Sequence, residues 1–203
     1  SDICVVVGHR AAEITAALAG SGLRIVYNED FESGMFASVL EGIRHLPASC
    51  RAFFIHPVDI PLVRAATVSA LLRRFHETAG KIFYPLCSAQ RGHPPLIAAD
   101  LTQEILAWPE TGGLRALLEK HETLAVDVPV MDEGILFDLD TPEDLRYLLS
   151  RLKNDHIPTP VECRMLMQRI CSVPDRIVNH CRAVAKTATI LASAVNRTGL
   201  DVD

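Results

Sequence analysis

The sequence predicts an α/β fold, a three-layer α/β/α arrangement around a mostly parallel sheet, followed by a C-terminal helical extension. Three observations point there. Short apolar runs alternate with amphipathic helical patterns from Ile3 to about Leu145. The runs are apolar on both faces, as strands covered by helices on two sides must be. Prolines, glycines and capping residues fall between them, at the places where elements have to end. Alternation of this kind builds parallel strands joined by right-handed crossovers.

The first run, "ICVVV" from Ile3, is a strand with β-branched residues on both faces and no lead-in. Such a strand needs neighbours on both edges and seldom opens a domain, so the expectation is that an earlier segment belongs before Ser1. A helix follows near Ala11 to Leu18, with Gly20 beyond its end. "LRIVY" is the next strand and leads to a helix from Met35 to Leu46, stopped by Pro47. "AFFIHPVDIPLV", residues 52 to 63, runs from a buried strand into Asp59 between two prolines. Proline cannot donate to a ladder, so the strand ends there and Asp59 is presented at its carboxyl end.

Val68 to Phe75 carries apolar residues at helical spacing, and "KIFYPL" is the strand after it. "QRGHPPLI" approaches a further strand through Gly92 and two prolines. Thr111 is the expected N-cap of the helix before "TLAVDVPV". "ILFDLD" reads as the last strand. After it Thr141 can cap a helix, Pro142 fits the first helical position and Asp144 can reach back to the cap.

The 203 residues are 49% hydrophobic, enough for a substantial core. A net charge of −5, no block of lysine and arginine and 5% aromatic residues argue against nucleic-acid binding. No apolar run reaches the roughly 18 residues of a membrane span, and the expected location is the cytoplasm. Six cysteines without a C-x-x-C pair read as reduced and mostly buried, neither a disulfide frame nor a zinc site.

Open α/β sheets bind ligands at the carboxyl ends of their strands. Asp59, Asp138 and Asp140 stand at such ends, although an aspartate there also caps turns. Ser33 and Gly34 precede a helix whose first amides are unpaired, either a plain N-cap or a seat for phosphate or a base edge. His93, between Gly92 and Pro94, reads equally as a loop histidine open to solvent.

Five fragments in order carry a family resemblance: "SGMFASVLEGI", "FFIHPVDIPLV", "RGHPPLI", "TGGLRALL" and "ILFDLDTPEDL". Over about residues 2 to 150 the chain resembles the MobA-like NTP transferases, in particular the molybdopterin cytidylyltransferase and xanthine dehydrogenase accessory branch, whose fold is nucleotide-diphospho-sugar transferase-like. The resemblance implies transfer of CMP or GMP from a nucleoside triphosphate (CTP or GTP) to the phosphate of a pterin, with release of pyrophosphate. It implies Mg²⁺ held by Asp59 and Asp140, with Asp138 as a neighbour, which suits a cation that prefers oxygen ligands. Gly34, Met35 and Ser38 match the nucleotide loop, and Gly92, His93 and Pro94 match a "GHP" loop on the acceptor side. A molybdoenzyme or a chaperone is the protein partner that fits this branch.

The family opens with a strand and a glycine-rich basic loop around the triphosphate, whereas "VVVGHRAAEI" resembles its second strand and helix. Without a loop of that kind the expectation is inefficient transfer by this polypeptide as it stands.

Residues 151 to 158 read as a linker after a domain of residues 1 to 150. Thr159 to Glu162 forms a capping box. A helix from about Pro174 carries the stripe Ile177, Cys181, Val184, Ala188, Leu191 and Val195. "VPDRIVNHCRAVAKTATILA" resembles the opening helices of HD-type metal phosphohydrolases, with His180 at the first metal-ligand position, so 159 to 203 reads as the start of an incomplete HD-type domain. One imidazole does not make a metal site. A pterin- or partner-binding regulatory module and a part of an HD-type phosphohydrolase are the alternative functions.

Overall fold

In a computed structural model, the description covers residues 3–109, 111–154 and 157–197, apart from the side chain of Ile170. The strands are β1 (Cys4–Val7), β2 (Arg24–Tyr27), β3 (Ala52–Phe54), β4 (Ile82–Cys87), β5 (Gln90–Arg91), β6 (Leu96–Ala98) and β7 (Ala125–Pro129). The helices are α1 (Ala11–Ala17), α2 (Met35–Arg44), α3 (Ala65–Glu77), α4 (Thr102–Leu106), α5 (Gly113–Lys120), α6 (Pro142–Lys153), α7 (Pro160–Met165) and α8 (Asp175–Asn196).

β1 and β2 pair in parallel, with Cys4 opposite Arg24 and Val7 opposite Tyr27. In the larger sheet β4 pairs in parallel with β7, while β6 lies antiparallel between β3 and β4. β3, β4 and β7 therefore run the same way, and β6 is the reversed strand among them. β5 and β6 are two pieces of one path along β4. Leu86 faces Arg91, but Phe83 faces Leu96, so two extra residues are absorbed around His93 and Pro94. That irregular stretch pushes His93 out of the ladder.

Strand alternation divides the core into two layers of contact. Phe53, Ile82 and Ile97 face one side and pack with Ile43 of α2, Ile105 of α4 and Leu117 and Leu118 of α5. Phe83, Leu96 and Val128 face the other and pack with Leu71 of α3 and Met165 of α7. Adjacent residues of β4 thus serve opposite faces, which is the three-layer arrangement the apolar runs imply.

Two local expectations are corrected. Thr111 is not the cap of α5. Gly112, at φ 83°, holds the N-cap position, and no side chain caps the helix. A left-handed backbone there is open to glycine without penalty, so the turn closes one residue later than a threonine cap would. "ILFDLD" is not a strand. Glu133–Leu136 forms a 3₁₀ turn and residues 137–140 join no ladder, because Leu139 is tied to a loop instead of to a neighbouring strand.

Both predicted capping boxes are present. Asp144 N donates to Thr141 Oγ1 while Thr141 N donates to Asp144 Oδ2, and Glu162 and Thr159 repeat the pattern. α6 continues to Lys153, into the stretch expected as a linker, and residues 155 and 156 of that stretch lie outside the described residues. Beyond it α7 is docked on the core through Met165 and the buried Glu162. On α8, Val178 is buried, whereas Val184 and Leu191 of the predicted stripe are exposed. Among the described residues no helix is long and apolar enough to cross a membrane.

Candidate active site

Three loops meet at the carboxyl end of β3. The register opposes Phe54 to Leu96, and Ile55 N donates to the Pro95 carbonyl at 3.4 Å, so the loop after β3 lies beside the residues entering β6. His93 N donates to the Ile135 carbonyl at 3.0 Å, which joins the 3₁₀ turn to the same edge. Leu139 N donates to the Asp59 carbonyl at 2.7 Å and closes the triangle.

Two glycines make this approach sterically available. A Cβ on Gly92 would stand 2.6 Å from Ile135 Cγ1 and 2.8 Å from the Ile135 carbonyl carbon. A Cβ on Gly134 would stand 2.7 Å from the Leu62 carbonyl carbon. Neither position has room for a side chain without moving backbone.

Asp132 fixes the root of the third loop. It is buried, and its carboxylate accepts from Arg64 N at 2.8 Å, Thr67 Oγ1 at 2.6 Å and Gly134 N at 3.1 Å. Three donors on one buried carboxylate satisfy it in place, which is a scaffolding role. In the second loop, His56 Nε2 bonds the Ile60 carbonyl at 2.8 Å, and a carbonyl partner requires that nitrogen to carry the proton.

Of the residues proposed from sequence, Asp59, Asp138, Asp140 and His93 fall in these loops. Asp59, Asp138 and Asp140 are exposed. His93 is open to solvent on one side, yet desolvation by the protein around its ring holds its pKa below the usual histidine range. Asp138 and Asp59 act on it in the opposite sense, and His56 adds to the lowering. The two histidines and the two aspartates therefore share one electrostatic neighbourhood. Asp140 N donates to Asp144 Oδ2 at 3.2 Å, anchoring that residue to the first turn of α6. Gly92 and Pro94 are buried, so they shape the loop from beneath instead of lining its surface.

Gly34, Met35 and Ser38 form a separate group after β2. Gly34, at φ 103°, is the N-cap of α2. Met35 is 75% exposed. Ser38 Oγ accepts from Asn28 Nδ2 at 3.0 Å, and the buried Asn28 also accepts Asp30 N through Oδ1. The first bond holds α2 to the end of β2, and the second turns the loop that follows the strand.

Sequence reasoning passed over His56 and Asn28. His56 lies inside the segment that presents Asp59, but one histidine in a proline-bounded loop carries no local signal. The buried amide of Asn28 shows only once Ser38, ten positions on, is placed beside it.

Among the described residues no group of three or more histidine, cysteine, aspartate or glutamate side chains is arranged to hold a metal ion. The donor chemistry still fits a hard divalent cation, since exposed carboxylates on joined loops supply oxygen ligands of the kind Mg²⁺ takes one or two at a time beside phosphate and water.

Residues 1–136 match the family model of the MobA-like NTP transferase domain. No curated protein matches. Among solved structures, the chain is similar to Rv0371c of Mycobacterium tuberculosis H37Rv in complex with manganese, at 23% identity and a TM-score of 0.62, over 74% of this chain and 78% of that one. It is similar to a nucleotidyl transferase from Methanothermobacter, at 24% identity and a TM-score of 0.61, over 76% and 74%. It is also similar to molybdopterin-guanine dinucleotide biosynthesis protein A from Archaeoglobus fulgidus, at 16% identity and a TM-score of 0.53, over 73% and 78%.

Proposed function

The chain belongs to the MobA-like NTP transferase family, and from that premise we propose that it transfers CMP or GMP from a nucleoside triphosphate to the phosphate of molybdopterin, releasing pyrophosphate. The observation that carries this reading is the bond from Leu139 N to the Asp59 carbonyl, which joins the two aspartate-bearing loops. Asp59 and Asp140 would hold Mg²⁺, with Asp138 beside them. When bound, the cation neutralises charge on the phosphate oxygens and orients them.

The remaining tasks belong to the polypeptide. The loop of Gly34, Met35 and Ser38 receives base and ribose, with the exposed Met35 as an apolar contact. Gly92 and Pro94 carry His93 to the acceptor side. There a neutral imidazole, favoured by its desolvated setting, can accept or donate one hydrogen bond without repelling the cation. The acceptor phosphate itself is the nucleophile, so the protein has to align it with the α-phosphorus and does not form a covalent intermediate.

Calorimetric titration of CTP and of GTP with Mg²⁺ or Mn²⁺ tests the reading. Wild-type chain binds one of the two, and Asp59→Asn weakens binding by at least about tenfold, the scale of one charge-assisted ligand. Equal affinity of the two proteins would remove Asp59 from the site.

A further inference from the structure

We propose that Glu162, outside the matched family domain, is a positioning residue for the transferase site, acting through the 3₁₀ turn that holds both the His93 loop and the Asp59 loop. The inference rests on the reading of those loops as the active site.

Glu162 is 1% exposed and carries a carboxylate. Burying such a group is costly unless it is fully partnered. Its partners come from four parts of the chain. Glu133 N donates to Oε1 at 3.2 Å, and Arg64 Nη2 donates to Oε2 at 3.2 Å. Thr159 N donates to Oε2 at 2.8 Å, and Arg151 Nη2 stands 3.9 Å away. Capping α7 needs only the bond from Thr159. The other partners tie α7 to the loop after β3, to α6 and to the start of the 3₁₀ turn.

The path from there is short. Glu133 opens the turn whose Ile135 carbonyl receives His93 N, and three residues after that turn Leu139 N reaches the Asp59 carbonyl. Arg64, held by the same carboxylate, gives its own amide to Asp132 at the root of the turn and its guanidinium to the Met131 carbonyl at 3.3 Å. One carboxylate on α7 thus grips both sides of the segment that sets the spacing of the two candidate loops. Neutralising it removes charge compensation from Arg64 and weakens the acceptor for Glu133 N.

Amide hydrogen exchange on the full chain tests this without a ligand. Glu162→Gln keeps the shape of the side chain and removes its charge. The His93 and Leu139 amides should exchange on the order of tenfold faster relative to the amides of the β4–β7 ladder, because local opening is separable from global unfolding. Cys163→Ala, on the same helix, should leave that ratio unchanged. A general loss of stability would speed the ladder as well and leave the ratio near its wild-type value, and that result would overturn the proposal. Binding of CTP and of GTP with Mn²⁺ is read separately. Absence of binding of both by the wild type counts against the transferase reading, while the exchange ratio still decides the role of Glu162.

Discussion

Gly92→Ala is the sharpest test of how the loops are packed. The added Cβ would lie 2.8 Å from the Ile135 carbonyl carbon, where ordinary contact begins at 3.4 Å, so backbone must yield by at least about 0.6 Å. The carbonyl cannot swing aside freely, because it accepts the His93 amide one residue away. Overpacking against backbone costs about 1–3 kcal/mol, and the upper half of that span applies where no flexible side chain can give way. For a chain of this size, about 2–3 kcal/mol lowers the melting temperature by roughly 4–12 °C. Gly42→Ala is the matched control, since its Cβ would meet only the Val6 Cγ2 methyl at 3.2 Å. Differential scanning calorimetry of the two variants, with metal–nucleotide binding measured on the folded protein, reads both consequences. If Gly92→Ala melts within about 1 °C of wild type, the close approach of the 3₁₀ turn to the His93 loop is wrong, and so is the triangle built on it.

Two further outcomes follow from local chemistry. Thr141→Ala removes the capping box of α6 and should cost about 1 kcal/mol, measured as a fall in melting temperature, while Thr141→Ser should retain most of the cap. The pKa of His93 is depressed in the folded chain, so the unfolded state binds more protons as pH falls through the ordinary histidine range. This contribution is therefore destabilising on the acid side and vanishes above the unfolded pKa, and urea melts of His93→Gln against wild type between pH 8 and pH 5, roughly the interval in which histidine titrates, should diverge only toward the acid end.

Features that depend on near neighbours in sequence were legible. Thr141 to Asp144 and Thr159 to Glu162 are capping boxes because a hydroxyl and a carboxylate three positions apart can satisfy each other's amides without help from the rest of the chain. β4 was visible because a run buried on both faces has no polar alternation to obscure it, and β7 because Val126 and Val128 flank a single exposed polar residue, Asp127, in a β-branched run. Strand direction was not legible. β6 is apolar on both faces whichever way it runs, and its reversal is set by how the path through His93 and Pro94 returns along β4. "ILFDLD" has the composition of a strand, yet its backbone amide goes to Asp59, a partner 80 positions away. Composition does not report which partner a backbone group will find.

The same distinction governs the candidate site. Asp59 and Asp140 could be nominated singly, as carboxylates at the ends of apolar runs, but the groups that hold their loops together carry no signal as single residues. Asp132 and Glu162 look like surface acids in sequence and are buried in the fold, each enclosed by donors from other segments. A carboxylate is buried at such cost only where several donors converge, so the two acids mark where separate segments must stay in register. Both converge on the 3₁₀ turn, one at its root and one at its first amide. Asp59 and His93 are themselves exposed, and the turn that joins their loops is held by these two buried acids, so the geometry at Asp59 and His93 depends on the acid framework behind them.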